Sequence, residues 1–171
     1  IKTLENSYAG EPNTPDLQQL KGMIREFEEE LVWAYNGVQV NHVHHLHLGF
    51  YQDKGITKGV NIERDVMPIV RQFREIQPDI ISVTLDPEGS GPDTHYKVLQ
   101  ATAAAVAEWS KEKDLSNVRI YGYRNVWFKF HPVDANMYVP VSLNALAVLD
   151  KSFAASYLSQ VKAEFPNPTH D

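Results

Sequence analysis

Between Gln77 and Lys113 the sequence changes character in a way that restricts the fold more than any other stretch. Pro78-Asp79 closes one helical pattern. Ile80-Ile81-Ser82-Val83-Thr84-Leu85 is a short, β-branched apolar run, and a loop from Asp86 to Thr94 containing Gly89 and Gly91 follows it. An alanine-rich helical stretch then runs from about His95 to Lys113. A run this short and this apolar predicts a strand buried on both faces, as in a parallel sheet, and parallel neighbours need a crossover that is usually a helix.

The same alternation continues on either side. Thr14-Pro15-Asp16 is a helix start, with a hydroxyl cap, a proline in the first turn and an acid at the positive end of the macrodipole. Leu17, Leu20, Ile24, Phe27 and Leu31 recur every three or four residues, and Gly37 is a suitable stop, so a helix is expected from residue 15 to 36. Val38 to Leu48 reads as a strand, with His42, His44, Leu46 and Leu48 on one face and Val43, His45 and His47 on the other. A turn-rich stretch, 52–59, separates it from a helix at 63–76 whose Pro68 predicts a late start or a kink. Strands are expected again at Val118–Tyr121 and Tyr138–Val141, and a last helix at 143–165. Strands alternating with helices define an α/β layered fold with a mostly parallel sheet. Residues 1–14 lack periodicity and read as a leader or surface loop, with one domain filling 15–171.

Composition excludes several classes. Sixteen Lys and Arg against 22 Asp and Glu give a net charge of −6, with no basic cluster, which argues against nucleic acid as a partner. No apolar run approaches the ~20 residues of a membrane span. The absence of cysteine removes disulfides, thiolate nucleophiles and thiolate zinc sites together. No secretory leader is visible at Ile1-Lys2-Thr3-Leu4, and a cytoplasmic protein is expected.

In open α/β sheets ligands bind beyond the carboxyl ends of the strands, so Asp86-Pro87-Glu88-Gly89-Ser90-Gly91-Pro92-Asp93-Thr94-His95 is the first candidate site. Three carboxylates and an imidazole suit a hard cation, zinc or a hydroxyl-rich sugar. The plainer reading is that Asp93 or Thr94 caps the helix and His95 lies on its surface. Arg124, just past the next strand, is placed to bind a phosphate or carboxylate, and Trp127 to stack on a sugar; the alternatives are an arginine paired to a local acid and a buried tryptophan. His42 and His44 could chelate a metal from one strand face or be satisfied in the core. The acidic run 26–30 reads mostly as a solvated helix face.

The segment PDIISVTLDPEGSGPDTHYKVLQA resembles the second signature of the PIG-L/LmbE-type metal-dependent de-N-acetylases, a strand, an Asp-Pro loop and His-Pro-Asp-His opening a helix. Ile24-Arg25-Glu26-Phe27-Glu28 resembles the family's Arg-x-x-Glu helix, His44–Phe50 the strand and loop after it, Tyr138–Ser142 its last strand, and Ser159-Gln160 the end of its terminal helix. The wording GPDTHYK, YGYRNVW and ANMYVPVSLN is most like the de-N-acetylase-like domain fused behind a glucosamine-6-phosphate deaminase-like domain. The resemblance spans roughly residues 20–165 and rests on the order of short motifs.

The resemblance implies a three-layer, Rossmann-like fold and removal of an N-acyl group from an amino sugar or its phosphate by zinc-bound hydroxide. It makes His95 a zinc ligand, Asp93 a catalytic support for the neighbouring imidazole, and Arg25 a substrate contact; His45, in the histidine-rich strand, and Arg124, at the sheet edge, are expected substrate contacts from their positions. The chain departs from the pattern at two places. Gly91 stands where the family has its oxyanion-stabilising His, and Thr94 is an extra residue before His95. The family's first signature, His-Pro-Asp-Asp, supplies two zinc ligands and the general base, and residues 1–20 do not contain it. His131-Pro132-Val133-Asp134 has similar spacing but lies far downstream and reads as a turn. The chain is therefore expected to be the C-terminal portion of such a domain, lacking its first strand. A homo-oligomer, or docking to a fused deaminase-like domain, is expected to cover the exposed edge. The rival expectation is a non-catalytic sugar-binding or interface domain with a degenerate site.

Overall fold

The computed structural model describes residues 13–51, 59–89, 93–124 and 130–160. It divides into two compact units, Leu46–Tyr138 and a second formed by the chain up to His45 together with the chain from Val139 onward.

The Leu46–Tyr138 unit holds the sheet. Helix α2 (Met67–Ile76) is preceded by a π-type turn at Ile62–Val66, and Pro68 falls in the first turn of α2. Of the two expected outcomes the late start is realised, since proline in the first turn loses no intrahelical bond. Strand β1 (Ile80–Thr84) leads through the loop to helix α3 (Asp93–Trp109) and on to strand β2 (Arg119–Tyr123). β1 and β2 pair in parallel, Ile80 against Arg119 through Thr84 against Tyr123, so β1–α3–β2 is a βαβ unit. Leu85 N–H donates to the Tyr123 carbonyl at 2.7 Å, extending the pairing by one bond.

The mixed helix–strand architecture with a small parallel sheet agrees with the α/β expectation. β1 differs in detail. Ile81 and Val83 are buried while Ile80 and Ser82 are exposed, so the strand is covered on one face only. The covering layer is α2 and α3, whose Val70, Phe73, Ala101, Ala105 and Trp109 join Ile81, Leu48 and Phe50 in one apolar cluster. Alanines at 101 and 105 let the helix approach closely. Gly122 does the same in β2, where a Cβ would lie 2.6 Å from the Leu85 side chain.

The second unit pairs helix α1 (Pro15–Tyr35) with α4 (Leu143–Ser156). Thr14 and Ser142 cap them by accepting the Leu17 and Ala145 N–H groups at 3.4 and 3.1 Å. α4 stops at Ser156, short of the expected end. Tyr157 leaves helical geometry and residues 158–160 turn, which carries Ser159 to Glu28. Of the predicted apolar stripe on α1 only Leu17 is buried; Leu20, Ile24, Phe27 and Leu31 stay exposed.

Two expected strands are corrected. Val38–Leu48 contains a 3₁₀ turn at Val40–His42 and a positive φ of 49° at His47, and it enters no ladder among the described residues. Strand alternation cannot survive either interruption, and His42, His44 and His47 are all exposed. Tyr138–Val141 is likewise outside the sheet, with all four side chains exposed. Among the described residues no helix is long and apolar enough to cross a membrane.

Candidate functional site at the carboxyl edge of the sheet

The loop after β1 and the residue after β2 emerge side by side because the strands are parallel and in register. Asp86 is buried directly beyond β1, and Gly89 N–H donates to its carbonyl at 3.1 Å, closing a turn in which Gly89 takes a φ of 62°. Such a φ is strained for residues with a Cβ and free for glycine. From β2, Arg124 reaches back across this turn. Its Nη2 donates to Glu88 Oε2 at 2.8 Å, and its Nη1 lies 3.4 Å from Asp86 Oδ1. The guanidinium also sits 5.2 Å from the centre of the Phe130 ring. Its Nε is buried and has no hydrogen-bond partner among the described residues.

Asp93 and His95 stand in the first turn of α3. Asp93 accepts from Lys97 at 2.7 Å, an i to i+4 ion pair in which the lysine is buried and the carboxylate largely exposed. His95 is half-buried. The site therefore combines carboxylates that accept hydroxyl or ammonium protons with one constrained guanidinium.

The sequence-predicted residues do not all meet here. Asp93, His95 and Arg124 belong to the sheet unit, whereas Arg25 and His45 belong to the other. His45 Nε2 lies 3.4 Å from Glu30 Oε1, a contact too long for a good hydrogen bond. Arg25, on α1, lines a cleft with Lys21, Ile24, Ser159 and Gln160. His131 to Asp134 forms the expected turn, with Asp134 N–H donating to the His131 carbonyl at 2.9 Å and Val133 N–H to His131 Nδ1 at 3.3 Å. Gly91 and Trp127 lie outside the described residues.

Among the described residues no group of three His, Cys, Asp or Glu is placed to hold a metal ion. The described donors by themselves therefore do not make up a catalytic zinc site, which takes three protein ligands and an open position.

Sequence reasoning missed two polar centres. One is Asp65, fully buried beneath the Gly49 loop, which accepts from Gly49 N–H and Asn61 N–H at 2.8 Å each and pairs with Arg64. Burial pushes its carboxyl pKa up. The Arg64 hydrogen bonds, the two backbone donors and the Arg64 charge outweigh that and hold it below the ordinary 3.8. The other is Glu28, which accepts from Ser159 N–H at 2.7 Å and from Ser159 Oγ–H at 2.6 Å. A buried acid among half-buried ones in a single acidic run leaves no mark in the local pattern. The resemblance had set Glu28 apart from that run without giving it a partner.

The fold and site define an α/β protein with a polar, carboxylate-rich sheet edge. Over 146 residues the chain is 34% identical to a protein of Bacteroides thetaiotaomicron whose name reads glucosamine-6-phosphate deaminase-like. The match covers 82% of this chain and 21% of that protein, so the chain spans about a fifth of its relative's length. No protein family's sequence profile matches the chain, and no solved structure matches it.

Proposed function

We propose that this chain is an amino-sugar-recognising domain with the layered fold of the PIG-L/LmbE-type de-N-acetylases, working with a deaminase-like domain in amino-sugar metabolism. The observation that carries it is Arg124, wedged between two loop carboxylates at the sheet edge with one buried N–H unpartnered among the described residues. A buried donor of that kind costs on the order of 1–3 kcal/mol, a cost that a ligand oxygen would remove. Glu88 and Asp93, both about 60% exposed, are suited to accept from the hydroxyl and ammonium groups of an amino sugar. The relative's name, which concerns an amino-sugar phosphate, supports the same ligand class.

Zinc-dependent N-deacetylation is the finer form of this reading. His95 would be one ligand and Asp93 its support, and bound zinc would supply a nucleophilic hydroxide at neutral pH. Because the described residues do not fit zinc by themselves, no hydrolytic step is derived from them. That mismatch favours the second reading, a sugar-binding or interface domain without catalysis of its own. Calorimetric titration with glucosamine 6-phosphate and N-acetylglucosamine tests recognition: millimolar or tighter binding that Arg124→Gln weakens about tenfold is expected. No heat with either sugar would sink the proposal. Zinc stoichiometry by native mass spectrometry on the chain and on His95→Ala separates the two forms. One zinc per chain, lost in the variant, supports the deacetylase; none in either protein supports the binding domain.

A further inference from the structure

The geometry points to a second ligand site, on α1: the cleft of about 290 Å³ lined by Lys21, Ile24, Arg25, Ser159 and Gln160 is a binding site for a phosphate group. The argument begins with where the acids around Arg25 are directed. Arg25 precedes the densest acidic run in the chain, yet the carboxylates that would ordinarily neutralise it at i+3 and i+4 are engaged elsewhere. Glu28 accepts both Ser159 donors. Glu29 accepts from Trp33 Nε1 at 2.6 Å and from the Tyr157 hydroxyl. One residue further on, Glu30 faces His45. Among the described residues Arg25 has no hydrogen bond or ion pair, and Lys21, one turn earlier on the same face, donates at 2.7 Å to the neutral side-chain Oδ1 of Asn13.

The cleft thus keeps two positive charges in a chain whose net charge is −6. Its opposite wall is not a loose tail. Ser159 is fixed by the buried Glu28 through two short hydrogen bonds, and Gln160 Nε2 donates to the Ser159 carbonyl at 3.1 Å. Two cations one helical turn apart match the charge of a phosphate dianion, whereas a carboxylate would leave one of them unneutralised. Planar guanidinium against phosphate oxygens is a bidentate, charge-assisted pairing. The ligand is a phosphate monoester or inorganic phosphate. The site requires neither zinc nor the sheet edge, so it stands apart from the reading above.

The test is a ¹H–¹⁵N NMR titration of the 171-residue chain with sodium phosphate, sodium chloride of equal ionic strength, glucosamine 6-phosphate and glucosamine. Phosphate is expected to give saturable millimolar shifts at the Ser159 and Gln160 amides and the Arg25 side chain, with none from chloride or glucosamine. Arg25→Gln and Lys21→Gln each weaken binding about fivefold or more, and both remain helical by circular dichroism because the positions are exposed. Tighter binding of glucosamine 6-phosphate than of phosphate identifies a monoester; equal binding identifies the free ion. Chloride acting as phosphate does, Arg25→Gln leaving the affinity unchanged, or shifts confined to Gly89 and Arg124 would each overturn the site. The last of these would leave the sheet-edge reading intact.

Discussion

The two units of this protein differ in how much apolar surface they bury. In the sheet unit a continuous apolar cluster of Phe50, Val70, Phe73, Ala101, Ala105 and Trp109 lies under β1. In the α1–α4 unit the described residues shielded from water are Leu17, Glu28, Ser152 and Ser156, while Phe27 and Leu31 of the amphipathic stripe remain exposed. The helices of both units satisfy the same periodic rule, so periodicity selects a face and says nothing of whether a partner covers it. A βαβ unit supplies that partner from its own sequence, since strand and crossover helix arrive together. A pair of helices covers one stripe on each, and on α4 the buried residues are Ser152 and Ser156, with the Ser152 hydroxyl turned back onto the Leu149 carbonyl at 2.7 Å.

The contrast can be broken most sharply at Trp109, which is 1% exposed and packs on Phe73 at 5.3 Å between ring centres. Trp109→Ala should cost about 4 kcal/mol in urea unfolding. A loss below about 1 kcal/mol would mean that the sheet unit is no better packed than its neighbour.

Asp65→Ala comes next, at about 3 kcal/mol, because it removes the ion pair with Arg64 and leaves two loop N–H groups without their acceptor. The pH dependence has a definite sign. The folded pKa is depressed, so the stabilisation is full above the ordinary value of 3.8 and is lost as pH falls through the lower folded value. Melting curves of wild type and Asp65→Ala should therefore converge under acid, and a gap that persists well below pH 3.8 would contradict the assignment.

In the other unit, Glu28→Ala should cost about 2 kcal/mol, seen as faster amide exchange at Ser159 and along α1. Unchanged exchange would mean that the Glu28–Ser159 link does not organise this unit. Phe27→Gln should change stability by less than ~0.5 kcal/mol, since the ring is 60% exposed. A loss above ~1.5 kcal/mol would show that the stripe is covered in solution and that the contrast between units is one of partners rather than of packing. The smallest effect belongs to Glu112→Gln. The Arg74 hydrogen bond lowers the Glu112 pKa, but the pair lies on the solvent-exposed surface, and the denaturation midpoint should not move measurably.

Much of the chain's local order was legible beforehand. Thr14-Pro15-Asp16 starts α1, Pro68 sets the late start of α2, and the run 80–85 forms a strand paired in parallel with the strand at 119–123. The histidine-rich segment at 42–47 was misread. Alternation suggested a strand, but a tight turn and the left-handed backbone of His47 override it. At the candidate site, position was readable and partnership was not: Arg124 could be placed at the sheet edge from topology alone, and pairing to a local acid was one of its two expected roles. Which acids it meets depends on the register that brings Asp86 and Glu88 opposite it.

By itself, then, the sequence determined the starts of α1 and α4, the presence of strands near 80 and 119, and the loop that carries the carboxylates. Each of these depends on caps, prolines and periodicity within a few residues of chain. Only the tertiary structure decided that Arg124 is held to Glu88 across a separation of 36 residues, that Glu28 holds Ser159 across 131, and that Asp65 is closed beneath Gly49. The physical reason is range. A local pattern restricts a residue's own backbone and the direction of its side chain, whereas burial and charge pairing are set by whichever distant segment packs against it.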